Sequence, residues 1–233
     1  RGGGEGGGGD GGGTGGGGDP YIGRLMAEQA IDNHGPVEVI DVESLSDDAL
    51  VIPVCMMGAP TVMLEKLPQG DEAINALRSL EAVLGRKADA LFCIEAGGLN
   101  STIPIAVAAT AGLPIVDGDG MGRAFPELQM VSMTMFDIHA CPMAMADEKG
   151  NALVLNTVDN LSTEKFARVI TVEMGGAGLI ALYPMTGAEP KKSILRGSLS
   201  LISNIGQIIS YEQTANRNPA DKLASELNGV RLF

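Results

Sequence analysis

The residues best suited to chemistry lie in one stretch, residues 88–127, where two apolar runs break abruptly into acidic, glycine-rich turns. The first run stops at Glu95, and the second, residues 113–116, stops at Asp117 and Asp119. A carboxyl group that closes a buried strand is partly desolvated, and desolvation raises its pKa towards the range of a general base. We therefore predict that Glu95, Asp117 and Asp119 are catalytic.

Each of these carboxylates also has an ordinary structural explanation. Glu95 would equally suit a helix cap or a salt bridge at the end of its strand. The pair Asp117 and Asp119 has the spacing of two oxygen ligands of a cation, or of a base with a helper, but also that of a solvated acidic turn.

Four polar residues of the same stretch are predicted to bind substrate. Asn100 and Ser101 can hydrogen-bond ring nitrogens, or can simply cap a helix over residues 103–111. The planar guanidinium of Arg123 suits a substrate carboxylate, and Glu127 would pair with it at i, i+4 if this segment is helical.

A glycine tract opens the chain, and its two parts predict different things. Residues 1–13 are low-complexity and predict a flexible segment. Gly16, Gly17 and Gly18 run directly into Asp19-Pro20, which has the residue types of an N-cap and a first helical turn. Successive glycine amides at a helix start cradle an anion or oxyanion, so these three glycines are predicted to contact substrate. The tract lacks the Lys-Ser/Thr pair of a phosphate loop, which disfavours nucleotide binding.

A metal site has only partial support in the sequence. His139 and Cys141 would share one face of a strand, as two ligands of a soft metal do, but no third ligand is visible and Cys141 also suits a buried thiol. The cofactor and the metal ligands therefore stay unassigned, although the chemistry of water activation accommodates one divalent metal.

The order of apolar runs and helical patterns predicts an α/β fold of three layers, αβα, with a mainly parallel sheet. The predicted strands are 37–42, 49–56, 90–94, 113–116 and 178–183, together with a hairpin of 142–146 and 152–156. The predicted helices are 20–33, 71–84, one from Ser162 or Thr163 to 174, a long one at 190–211 and a short one at 219–227.

Composition excludes several classes of partner. The net charge is -13, with 16 scattered Lys and Arg, which argues against nucleic acid because phosphate binding needs clustered positive charge. No apolar run reaches the length of a membrane span, and no signal peptide is recognisable, so a cytoplasmic location and no membrane partner are expected. Three cysteines, two of them in apolar runs, predict reduced thiols.

The chain resembles the S-methyl thiohydantoin desulfurase family, also catalogued as domain of unknown function 917. The likeness rests on TGGGGDPYIGRLMA, GAPTVMLEKLP and EAGGLNSTIPIAVAATAGLPIVDGDGMGRAFPELQM, and it extends from Thr14 to Phe233. In that family a three-layer α/β domain precedes a β-rich domain, and the genes often accompany hydantoinases and oxoprolinases.

The resemblance implies a hydrolase that attacks an S-methylated thiohydantoin with water, expels methanethiol and leaves a hydantoin. The alternative is a non-catalytic binding or partner subunit of a hydantoinase or oxoprolinase system. We expect residues 14–228 to form the α/β domain and 229–233 to begin the β-rich domain, the rest of which is expected to be missing. Exposed apolar surface would then favour a homo-oligomer or a hydantoinase-like partner.

Overall fold

The computed structural model describes residues 20–59, 62 and 70–229. The α-helices are α1 (Pro20–His34), α2 (Glu72–Leu84), α3 (Gly98–Ala111), α4 (Asn160–Glu173), α5 (Pro190–Ser193), α6 (Ser198–Thr214) and α7 (Pro219–Glu226). The strands are β1 (Val39–Ile40), β2 (Leu50–Gly58), β3 (Ala90–Cys93), β4 (Ile115–Asp119), β5 (Met143–Ala146), β6 (Ala152–Leu155), β7 (Ala177–Ala181), β8 (Met185–Thr186) and β9 (Leu195–Arg196). Two 3-10 helices span Val42–Ser44 and Ser132–Phe136.

The strands of the described residues form one mixed nine-stranded sheet in the order β1-β4-β3-β2-β7-β5-β6, with β8 beside β2 and β9 beside β4. The α/β prediction is confirmed, but among these described strands only β1, β4, β3 and β2 are parallel to one another. The long strand β2 causes the change of direction: it pairs with β3 through Val51 to Pro53 on one side and antiparallel with β7 on the other. The predicted hairpin of β5 and β6 is confirmed and completes the antiparallel half.

Each face of the sheet carries its own hydrophobic core because successive strand residues point to opposite sides. On one face Ile52 and Leu91 join a cluster that includes Leu77 and Leu80 of α2 and Ile103 of α3. On the other face the cluster of Val51, Phe92, Val116, Met133, Met145 and Ala167 packs beneath α4 and the second 3-10 helix. Both faces of the sheet are therefore covered by packed apolar side chains.

The single long helix predicted for 190–211 is wrong, because Gly197 interrupts it. Gly197 has φ 75°, a left-handed conformation that glycine adopts without strain. The residues before it form the short helix α5 and then β9, which pairs antiparallel with Gly118 and Asp119 of β4. This extra ladder extends β4 to Asp119, so the two aspartates lie in a strand and not in the predicted turn.

Two helix starts also differ from the prediction. Helix α3 begins at Gly98 after the N-cap Gly97, so Asn100 and Ser101 lie in its first turn and cap nothing. Helix α4 begins at Asn160, since the carboxylate of the N-cap Asp159 accepts the N–H of Ser162 at 2.6 Å. In both cases an earlier residue of suitable conformation takes the cap position.

Helix α1 packs closely on the first turns of α3, which follow β3 along the chain. A Cβ on Gly23 would lie 2.0 Å from Thr102 Oγ1 and 3.3 Å from Leu99 Cα, so glycine permits this close approach. The predicted glycines 16–18, the flexible segment 1–13 and the strand start at 230–233 lie outside the described residues. Within the described residues no helix is long and apolar enough to cross a membrane.

Candidate functional site

A cavity of about 340 Å³ opens where β2 and β3 end and α3 begins. Its polar lining includes Glu95, Asn100, Glu127 and Arg168. Its apolar wall consists of Cys55, Met56, Met57, Ile94, Met121, Ala124, Phe125, Pro126 and Leu128. A second cavity of about 370 Å³ lies among α1, α2 and α3 and contains none of the predicted site residues. The chemistry therefore points to the first cavity, at the carboxyl ends of parallel strands.

Glu95 is the buried acid of this cavity, with 4% of its surface exposed. Its Oε1 accepts a hydrogen bond of 2.7 Å from Asn100 Nδ2. Burial raises the pKa of Glu95, the Asn100 hydrogen bond lowers it, and the nearby charge of Asp119 raises it again, leaving the pKa above its ordinary value. A carboxyl group in this state exchanges its proton closer to neutral pH than an exposed glutamate does.

Asn100 holds Glu95 in place through the backbone of β2. The N–H of Met56 donates to Asn100 Oδ1 at 2.7 Å, and Asn100 Nδ2 donates to the Met56 carbonyl at 3.3 Å. Because both ends of the amide are fixed, its orientation is defined and its N–H points at Glu95. Asn100 thus acts as a positioning residue in this geometry, and its predicted contact with substrate stays a prediction.

Asp119 lies fully buried behind Glu95, at the position of β4 that pairs with Cys93 of β3. Its Oδ1 accepts the N–H groups of Met121 at 2.9 Å and Gly122 at 2.6 Å. Its Oδ2 has no hydrogen-bond partner among the residues that the structure describes. Burial raises the pKa of Cys93, and the charges of Asp119 and Asp117 raise it further, so Cys93 stays a thiol.

Asp117 faces a different element. Its Oδ1 accepts the N–H groups of Leu199 at 2.9 Å and Ser200 at 3.1 Å, and its Oδ2 accepts the Ser200 hydroxyl. The carboxylate therefore caps the start of α6 and does not line the Glu95 cavity. Its catalytic role stays a prediction, for which this arrangement offers no support.

Arg168 and Glu164 of α4 form a clamp on a loop that lines the cavity. Arg168 donates from Nε and Nη2 to Glu164 Oε1 at 2.8 and 2.5 Å, and Nη2 also donates to the Pro126 carbonyl at 2.9 Å. Glu164 Oε2 accepts the N–H of Leu128 at 3.0 Å. Helix α4 thereby fixes the loop of residues 124–128, which forms one wall.

Two family models together match residues 12–233 of the chain. The S-Me-THD-like N-terminal domain matches residues 12–157, and the S-Me-THD-like C-terminal domain matches residues 158–233. The chain belongs to the S-Me-THD-like family. The resemblance to S-methyl thiohydantoin desulfurases is thus confirmed, and the family name indicates a function related to thiohydantoins.

The prediction that the second domain of this S-Me-THD-like protein is missing is wrong, because the C-terminal family model matches from residue 158 onward. Helix α4 and the elements after it, which the sequence pattern assigns to a single α/β domain, therefore belong to the second family region. The pattern of strands and helices contains no sign of a boundary at residue 158.

A solved structure supports the same fold. The crystal structure of a protein from Chromobacterium violaceum, a structural genomics target, is similar with a TM-score of 0.75 and 27% sequence identity. The match covers 93% of this chain and 62% of that chain, so the S-Me-THD-like chain described here spans less than two thirds of that relative. A comparison with curated proteins finds no match.

The cavity of this S-Me-THD-like protein is shared by both family domains. Glu95, Asn100 and the loop 124–128 belong to the N-terminal match, whereas Glu164 and Arg168 belong to the C-terminal match. Sequence reasoning missed the last two. Their i, i+4 spacing predicts an ion pair on a helix, but nothing in it identifies the loop that the pair holds.

Three other predicted residues have local partners. Ser101 donates through its hydroxyl to the Gly98 carbonyl at 2.9 Å. The Arg123 guanidinium lies over the ring of Phe125 at 5.8 Å from the centroid. Glu127 lines the cavity and accepts a hydrogen bond from Gln129. The expected pair of Arg123 with Glu127 does not form, because the segment between them is not helical.

The structure gives the metal hypothesis no ligand set. Among the described residues no three His, Cys, Asp or Glu side chains come together as a metal-binding group. The neighbours of Cys141 Sγ are the hydroxyls of Thr157 and Thr163, each at 3.3 Å. His139 and Cys141 are therefore not supported as a pair of zinc ligands.

Proposed function

We propose that this S-Me-THD-like protein hydrolyses an S-methylated thiohydantoin or a related cyclic amide, releasing methanethiol and leaving a hydantoin. The observation that carries the proposal is Glu95, a buried carboxyl group of raised pKa that Asn100 aims into a cavity at the strand ends. A carboxyl group whose pKa is raised by burial inside such a cavity is a candidate for proton-transfer chemistry.

The proposed reaction needs one group that both takes and returns a proton. Water adds to the ring carbon that carries the methylthio group: a C–O bond forms, the π electrons of the ring C=N bond move to nitrogen, and the Glu95 carboxylate accepts the proton that water loses. When the C–S bond breaks, the protonated Glu95 returns that proton to the departing sulfur, and the remaining hydroxyl proton passes to the ring nitrogen as the carbonyl forms. The water thus supplies oxygen to the hydantoin and hydrogen to methanethiol and the ring nitrogen.

The cavity wall suits a substrate with a methylthio group. Met56, Met57 and Met121 line it together with Phe125, and thioether side chains adapt to irregular apolar groups and to sulfur. A volume of about 340 Å³ is also in the range of small-molecule sites. Apolar walls around a few fixed polar groups provide both desolvation and orientation for a small ring.

The test is an assay of the purified chain with an S-methyl thiohydantoin, following methanethiol release, with metal analysis of the same sample. Glu95→Gln should lower turnover by roughly two to four orders of magnitude, as loss of a general acid–base group does. Glu28→Gln, which alters only a surface pair with Arg24 on α1, is the matched control and should retain turnover. Full activity in Glu95→Gln would reject this mechanism. Binding of the thiohydantoin without turnover would instead support a binding or partner subunit.

A further inference from the structure

The described residues leave one apolar face of helix α4 largely exposed, on the side that points away from the sheet. Its inward residues, among them Glu164 and Ala167, are buried against the sheet and the 124–128 loop. On the outer side Phe166, Val169 and Val172 are 58%, 64% and 65% exposed. Because they recur every three residues, these side chains form one stripe along the helix. Contiguous exposed apolar surface of this kind marks an interaction site.

The apolar surface continues beyond the start of the helix. Leu161 in the first turn of α4 is 49% exposed and Val158 just before it is 85% exposed. Met135 of the second 3-10 helix is 83% exposed, and this helix is tied to α4 because Asn160 Nδ2 donates to Thr134 Oγ1 at 3.1 Å. The stripe is therefore part of a larger apolar patch that extends from the start of α4.

Two opposite charges flank the stripe symmetrically. Lys165 and Glu173 are both exposed, and each lies four residues from Val169, one on either side. Neither forms a salt bridge with another residue that the structure describes, and the charge of Lys165 acts on the exposed Asp159 at the start of the helix. Phe166 and Val172 each lie three residues from Val169, again one on either side.

We propose that the chain forms a two-fold symmetric homodimer in which α4 packs antiparallel on α4 of a second copy, with Val169 at the axis. In this arrangement Phe166 contacts the partner's Val172, and Lys165 pairs with the partner's Glu173. The symmetry operation repeats both contacts, as an isologous interface requires. One helix therefore supplies both halves of a complementary surface.

A second copy fits this face better than other partners do. A membrane surface or a nucleic acid would meet a molecule of net charge -13, and the stripe itself is flanked by one cation, Lys165, and one anion, Glu173. Antiparallel pairing places those two charges opposite each other. A helical interface of this size is expected to be weak and concentration-dependent.

The test is sedimentation of the full chain over a range of concentrations, with a charge swap. Lys165→Glu alone places two acids at each pairing point, and Glu173→Lys alone places two lysines there. Each should raise the dimer dissociation constant by about tenfold. The double variant Lys165→Glu/Glu173→Lys restores opposite charges and should recover dimerisation to within about twofold of the unmodified chain.

Val169→Glu should abolish the dimer, because it places two carboxylates on the axis. Val83→Glu on α2, where Val83 is 59% exposed, is the control and should leave dimerisation unchanged. Circular dichroism checks that each variant is folded. A chain that stays monomeric at all concentrations, a dimer that survives Val169→Glu, or a double variant that does not recover would overturn the proposal. None of these readouts depends on catalytic activity.

Discussion

The side chains of Glu95 and Asn100 combine burial of a carboxyl group with a fixed hydrogen bond to it. Glu95 is desolvated enough for its pKa to rise, yet it has a fixed hydrogen bond that keeps its carboxylate form accessible. The backbone of Met56 supplies that control by fixing the amide of Asn100. The acid and its orienting amide therefore act as one unit.

The first prediction concerns Asn100→Ala. The Asn100 hydrogen bond lowers the pKa of Glu95, so its removal should raise that pKa further. If the Glu95 carboxylate is the base, the limb of the pH–rate profile that rises with pH should move to higher pH. Thr110→Ala, on the far end of the same helix, is the control. An unchanged profile in Asn100→Ala would show that this hydrogen bond does not tune the base.

The second prediction links Glu95 to stability. The pKa of Glu95 in the folded protein is raised above its ordinary value of 4.5. The contribution of Glu95 to the free energy of unfolding is therefore fully present below pH 4.5 and is lost as pH rises through the folded pKa. Glu95→Gln removes this dependence. Its melting temperature relative to the unmodified protein should therefore increase between about pH 4 and pH 8. A difference that stays constant across this range would contradict the raised pKa.

Single residues differ in how far the sequence reveals them. Glu95 was predictable because an apolar run that ends in an acid directly implies desolvation at a strand end. The hydrogen-bond partners of Asp117 could not be predicted from the sequence, because Leu199 and Ser200 lie far along the chain. Only the tertiary fold brings α6 to β4.

At the scale of elements, Asp117 joins the sheet to α6. Helix starts leave N–H groups without intrahelical partners, and Asp117 supplies an acceptor for two of them from another part of the chain. This long-range cap fixes where α6 begins and how it meets β4.

The third prediction follows from that cap. Asp117→Asn keeps an acceptor but removes the negative charge near the helix start, which should lower the free energy of unfolding by roughly 0.3–1 kcal/mol. Asp117→Ala should cost about 0.5–2 kcal/mol, as cap removal does. Amide exchange at Leu199 should quicken in both variants. Ser200→Ala, which removes only the hydroxyl partner, is the control; unchanged exchange at Leu199 in Asp117→Ala would exclude the cap.

Element type was largely predictable and element limits were not. Apolar periodicity identifies α2 and the strands β2 and β3, because buried faces impose it directly. The break at Gly197 was hidden, since the apolar residues on both sides of it remain in helical phase. Pairing of β9 with β4 depends on distant residues that no local pattern contains.

At the scale of the whole molecule, the cavity depends on contacts between the two family regions. Arg168 and Glu164 hold the 124–128 loop by hydrogen bonds to its backbone, from Pro126 to Leu128. Because these hydrogen bonds end on main-chain atoms, they fix the path of the loop backbone. They place little restriction on which side chains the loop can carry.

The fourth prediction is that Arg168→Ala loosens this loop. Leu128 should exchange its amide hydrogen faster, because Glu164 loses the guanidinium that holds its carboxylate in place. If the proposed reaction occurs in the cavity, KM should rise more than kcat falls, since the loop forms the wall and not the acid. Arg217→Ala, which breaks a comparable pair with Glu212 at a distant site, is the control. Unchanged Leu128 exchange would show that the clamp is dispensable.

The clamp also bears on how such a protein can be recombined. A chimaera that joined residues 1–157 of one family member to the following region of another would divide the cavity wall between two parents. Such a hybrid would need an acid and a guanidinium spaced as Glu164 and Arg168 are, facing a loop of the same length as 124–128. The two regions are thus expected to be inherited together, and a workable crossover point would lie away from the boundary that the family matches suggest.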